Sequence, residues 1–93
     1  MKRIFLQNAK KIYLTRPQFA LQAEAWIRKA VEADERNRMP WDLATDYALY
    51  AEFFKKQGDP AQAKENLHKA IDLMRGCGAV GWVKKYGEEL AGL

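Results

Sequence analysis

His68 and Cys77 are the only side chains in the sequence with the donor atoms of a soft metal site. They stand well apart in the chain, whereas a zinc centre takes three or four ligands at recognisable spacing, so the pair does not describe a metal site. A cysteine nucleophile needs a base and a third group to orient it. Cys77 instead sits between Gly76 and Gly78, where a turn accounts for it. Asp42 and Asp46 are one helical turn apart, as paired acids would be, but aspartate at the start of a helix is explained by the helix dipole. No glycine run has the spacing of a phosphate loop. These residues point away from catalysis, and the expectation is a protein with no enzymatic activity, cofactor, metal or small-molecule substrate. The remaining chemically distinctive feature is paired lysine: Lys10-Lys11, Lys55-Lys56 and Lys84-Lys85. Such pairs are solvated faces or rim contacts for a partner, where charge sets association rate and salt dependence.

The elements that would carry these side chains fit in one domain of 93 residues. Apolar types make up 48% and charged types 30%, the composition of a folded chain and not of a disordered one. No apolar run approaches the ~20 residues that cross a bilayer. A single cysteine forms no internal disulfide, and the expected location is cytoplasmic. Charge is uneven. Lys2, Arg3, Lys10, Lys11 and Arg16 open the chain with no acid among them, and all 12 acidic side chains lie beyond Arg16 with the other basic ones. The net charge of +4 is therefore a property of the N-terminus, and the nearly neutral remainder does not read as a nucleic-acid surface. A basic, acid-free start fits a transit peptide or a membrane-surface helix. It fits a secretory signal poorly, because Gln7-Asn8 interrupts the short Ile4-Phe5-Leu6 run.

Pro17, Pro40 and Pro60 each precede a stretch of helical periodicity, where a missing N–H does no harm. Gly58 and Gly76-Cys77-Gly78 follow such stretches, where glycine takes the left-handed conformation that ends a helix. Five helices are expected, roughly 2–14, 17–37, 41–57, 60–75 and 79–91, and no strand. The fourth has the clearest start: Asp59 caps it, Pro60 fixes φ and Gln62 completes a capping box. Ala63, Leu67, Ala70, Ile71 and Met74 make its apolar face, and Leu43, Tyr47, Tyr50, Ala51 and Phe54 make that of the third helix. The tyrosine and phenylalanine stripe is read as core. Trp26, Trp41 and Trp82 are read as helix contacts, with Trp26 the most open of the three. The short Gln57-Gly58-Asp59 link makes the third and fourth helices antiparallel.

An internal repeat runs through these elements. Ala23-x3-Ile27-x-Lys29-Ala30-Val31 matches Ala63-x3-Leu67-x-Lys69-Ala70-Ile71, a long period of the kind that stacked helical hairpins produce. Residues 47–71 resemble the tetratricopeptide repeat through Tyr47-x2-Tyr50-Ala51-x2-Phe54, a turn at Gly58-Asp59, and Ala63-x3-Leu67-x2-Ala70. A weaker preceding hairpin covers 1–37, with Phe5-x2-Asn8-Ala9-x2-Ile12 as its first helix; Asn8 departs from the pattern, and so does Arg75, where the family often has proline. Cys77-Gly78-Ala79-x-Gly81-Trp82-Val83-x2-Tyr86-x2-Glu89-Leu90 resembles the segment that follows such repeats in bacterial signalling proteins, LuxR-type and ATPase- or cyclase-containing regulators among them.

The resemblance implies an all-α, short solenoid of antiparallel hairpins, one domain over 1–93, with a clear hairpin at 41–75 and a capping helix at 79–91. It implies a non-catalytic scaffold that holds a protein or peptide in a concave groove lined by the first helix of each hairpin. Thr45, Ala48, Glu52, Lys55 and Lys56 share the helix face left over from packing, and the same offsets place Arg3, Leu6 and Lys10 in the weaker hairpin. Arg3, Lys10, Lys55 and Lys56 would favour an acidic peptide. The carboxylate clamp of some relatives does not carry over, since Glu52 occupies one of its places. With few repeats the ends stay partly apolar, and a two-fold homodimer is expected. The alternative is that the basic first helix binds nucleic acid or an anionic membrane.

Overall fold

The computed structural model describes residues 20–93. The helix expected over 2–14, the opening of the next one, and Arg3, Leu6 and Lys10 lie outside the described residues. Four helices follow one another: α1 Ala20–Arg36, α2 Pro40–Lys56, α3 Pro60–Gly76 and α4 Val80–Ala91. Among the described residues there is no strand.

The three links between the helices are evenly spaced and share one geometry. Arg38, Gly58 and Gly78 each take a positive φ, of 53°, 78° and 72°. In each link the N–H one residue further on reaches back to the last turn: Met39 to Asp34 O at 3.0 Å, Asp59 to Phe54 O at 2.9 Å, Ala79 to Met74 O at 2.9 Å. The left-handed residue donates as well: Arg38 to Glu35 O, Gly58 to Lys55 O and Gly78 to Arg75 O. This paired closure satisfies carbonyls that a helix end leaves orphaned. The repeat that sets Ala23 against Ala63 is thus built from a shorter unit, one helix and one turn, used twice in each period.

Local chemistry explains the helix ends. Pro40 and Pro60 occupy the first turn of α2 and α3. The Gln62 N–H donates to Asp59 Oδ1 at 3.2 Å, capping α3 as the sequence indicates. Asp42 stands in the first turn of α2 and Lys55 and Lys56 in its last, each charge complementing the helix dipole. No side chain caps α4, whose N-cap residue is Ala79.

Each helix packs on the next in sequence. One core cluster joins Ala44 and Ala51 of α2 with Leu67, Ala70, Ile71 and Met74 of α3 and Tyr86 of α4. A second joins Ala23 and Ile27 of α1 with Phe53 of α2, with Trp26, Tyr50 and Phe54 half-buried around it. The apolar stripe of α2 is therefore split. Tyr47 and Ala51 serve the first cluster, and Tyr50 and Phe54 serve the second, beside the more deeply buried Phe53. A helix with neighbours on two sides needs two apolar faces, and periodicity alone merged them. Burial repeats with the sequence: Ala23, Ile27 and Ala30 are buried, as are the matching Ala63, Leu67 and Ala70. Alanine at these positions lets the helix axes approach, and each buried Leu or Ile contributes about 1.5–3 kcal/mol.

Two expectations about individual side chains are corrected. Trp41 and Trp82 are 43% and 37% exposed, more open than the half-buried Trp26. Both stand in the first turn of their helices, where they meet each other and keep their outer faces in solvent. Asp46 is fully buried, so it is not a solvated partner of the dipole, whereas Asp42 keeps that position.

Candidate functional site

A concave pocket of about 750 Å³ opens between α2 and α4. One wall is the α2 face of Thr45, Ala48, Glu52, Lys55 and Lys56 that the sequence spacing singles out, here joined by Leu49. The opposite wall is Trp82, Lys85, Tyr86 and Glu89 of α4, with Leu93 beyond it. Ala51 and Leu67 form the floor, so α3 lies beneath the groove and holds its walls apart. All five described candidates from α2 come together; Arg3 and Lys10 lie outside the described residues.

The α4 wall was missed in the sequence, although Trp82-x2-Lys85-Tyr86-x2-Glu89-x3-Leu93 has helical spacing. Val83 and Leu90 compete for the apolar face of α4, and they pack on the first cluster instead. Only that docking decides which side of α4 turns to α2.

Polar detail follows from the packing. Thr45 Oγ1 donates to the backbone carbonyl of Asp42 at 2.8 Å, which settles its hydroxyl against its own helix. The Lys85 ammonium lies 4.8 Å from the centre of the Trp82 ring, held by the negative face of the indole. Trp82 also meets Tyr86 at 5.6 Å, and it meets Trp41 edge-on, with ring centres 6.3 Å apart and planes at 89°. Burial, reinforced by the Glu89 carboxylate, raises the Tyr86 phenol above its ordinary range. The described lining carries three lysines and two glutamates, a modest positive excess.

Away from the groove, a polar seam closes the α1–α2 contact. Tyr50 Oη donates to Glu24 Oε2 at 2.7 Å and accepts from Arg28 Nε at 3.1 Å. Arg28 Nη2 donates to the same Glu24 oxygen at 2.8 Å. Where α2 meets α3, Lys69 lies 5.2 Å from the centre of the Tyr47 ring.

Among the described residues, no group of three or more His, Cys, Asp or Glu side chains could hold a metal ion. His68 and Cys77 are both exposed, on α3 and in the turn that follows it. Among the described residues, no helix is long and apolar enough to cross a membrane. No family model, curated protein or solved structure matches the chain.

Proposed function

We propose that the chain is a non-catalytic protein-interaction module of tetratricopeptide type, which holds a peptide segment of a partner in the α2–α4 groove. The observation that carries this reading is the groove itself. Thr45, Glu52, Lys55 and Lys56 of α2, with the edges of the packed Ala48 and Leu49, line one open concavity, and a second helix faces them across it. On this reading α2 and α3 form the complete hairpin, and α4 begins the next and ends the stack. Its role as a cap is supported by its outer positions. Ala44, Tyr47, Ala48 and Ala51 of α2 pack on the first cluster, and their counterparts in the repeat are Lys84, Gly87, Glu88 and Ala91 of α4. That face offers little apolar surface to a further helix, as terminal repeats require.

The test is selection of a displayed random-peptide library against the full chain, followed by amide chemical-shift mapping with an enriched peptide. Shifts at Thr45, Ala48, Glu52, Lys85 and Tyr86, together with loss of binding in Ala48→Arg, are expected. Failure to enrich any peptide overturns the reading, as do shifts confined to other surfaces. Salt-sensitive binding to duplex DNA or anionic vesicles, lost when Lys2, Arg3, Lys10 and Lys11 are changed to Glu, would assign the function to the basic N-terminus instead.

A further inference from the structure

The mouth of the groove is aromatic and open. Met39, Trp41, Val80 and Trp82 are four of the five exposed large apolar side chains among the described residues, at 41%, 43%, 78% and 37%. They sit at the starts of α2 and α4, brought to one end of the molecule by the edge-on contact of the two indoles. The fifth, Leu21, belongs to α1. The patch is continuous with the groove, because Trp82 belongs to both.

Charge along the groove is ordered. Nearest the aromatic mouth stands Lys85, one turn beyond Trp82. Along α4 Glu89 comes one turn further on, and along α2 Glu52 precedes Lys55 and Lys56, which stand in the last turn of that helix. Trp41 and Lys56 stand at opposite ends of α2. At about 1.5 Å of helical rise per residue their separation is roughly 22 Å, the reach of about seven residues of extended peptide.

Size decides between occupants. The exposed part of four side chains amounts to a few hundred Å², the scale of a patch on an ordinary monomer. A stable dimer buries about 800 Å² on each partner. The patch is too small to hold a second copy by itself and the right size for one or two anchoring side chains.

We propose that the groove binds an acidic peptide segment with a bulky apolar anchor. The anchor seats against Trp41 and Trp82, one carboxylate lies close behind it at Lys85, and another lies at the far end of the segment, at Lys55 and Lys56. This rests on the reading of the groove as a peptide site and adds the chemistry of what it selects. Glu89 disfavours an acid in the middle of the segment, so the charge pattern sets register as well as affinity.

The probe is a positional-scanning library of fluorescein-labelled dodecapeptides, read by polarisation against the full chain. The expected result is selection of Trp, Phe or Leu at one position and of Asp or Glu both near it and about seven residues away, the span of the groove. Trp41→Ser should weaken the selected peptide about tenfold or more, with Val80→Ser as a second variant at the mouth. Lys55→Glu combined with Lys56→Glu should leave the anchor preference intact and reverse the distal preference to Lys or Arg. Groove binding without these preferences, or preferences unmoved by the variants, overturns the proposal and leaves the peptide-site reading standing. Absence of any peptide binding overturns both. Dimerisation in the micromolar range that Trp41→Ser abolishes would make a second copy the occupant and overturn the proposal.

Discussion

Arg38 is the only non-glycine residue among those described that takes a positive φ, and it does so where the other two turns have glycine. A side chain in the left-handed region costs roughly 1–2 kcal/mol through its Cβ, partly offset because glycine gives the unfolded chain more freedom. Arg38→Gly should therefore raise the stability by about 0.5–1 kcal/mol, read as a higher urea midpoint at unchanged slope. A lowered midpoint would mean that the Arg38 side chain holds the turn by a contact worth more than its strain. The break itself was legible from Pro40, but its left-handed residue was not: Asn37-Arg38-Met39 carries no glycine, whereas Gly58 and Gly78 announce theirs. The buried acids were half legible. Asp34 continues the Ala23, Ile27, Ala30 spacing and is buried with them. Asp46 falls on the side of α2 that carries Leu49, Tyr50 and Phe53, a second apolar face that one stripe concealed. At the matching places in the second half of the repeat stand Met74 and Tyr86, both in the first cluster. Thus each half of the repeat fills the same two buried places with different chemistry.

Among the elements, α3 and α4 differ most in how they begin. Asp59 holds the first turn of α3 by its bond to the Gln62 N–H, and α4 starts at Ala79 with no such bond. Asp59→Ala should cost about 1 kcal/mol, and Ala79→Ser should gain up to about the same. The check is paired thermal and urea unfolding of the two variants. Equal and negligible effects would show that packing on the first cluster alone fixes both helix starts. The same contrast explains what the sequence revealed. The hairpin of α2 and α3 was legible because its signals are local: proline at both starts, a cap, and a glycine in the turn. One wall of the groove was legible because Thr45, Glu52, Lys55 and Lys56 stand off the aromatic stripe of α2, although Ala48 between them packs on the first cluster as well. The other wall depends on how α4 rolls against α3. That is settled by Val83, Tyr86 and Leu90 meeting Met74 and its neighbours, a tertiary choice that spacing within one helix does not encode.

In the molecule as a whole, two clusters share α2, and a tyrosine with a raised pKa stands in or against each of them. Tyr47 and Tyr86 belong with the first cluster and Tyr50 with the second. Burial is the leading cause in all three, acting on phenols whose ordinary value is 10.0. Glu35 and Asp46 add to it at Tyr47, and Glu89 adds to it at Tyr86. At Tyr50 the Arg28 hydrogen bond opposes it and Glu24 reinforces it. In the unfolded chain these phenols ionise at ordinary pH values near 10, while in the folded chain they still hold their protons. The folded state then binds more protons than the unfolded one, so stability is complete below the unfolded value and falls as pH rises through the raised values. Urea midpoints measured from about pH 8 to 11 should decline at the alkaline end. A variant with Tyr47, Tyr50 and Tyr86 all changed to Phe should start lower, because Tyr50 loses its bonds to Glu24 and Arg28, and should decline less steeply. Parallel decline in the two proteins would show that these three phenols do not carry the alkaline loss. Because both clusters carry a shifted tyrosine and α2 spans them, far-UV and tyrosine-absorbance signals should report one transition, not two.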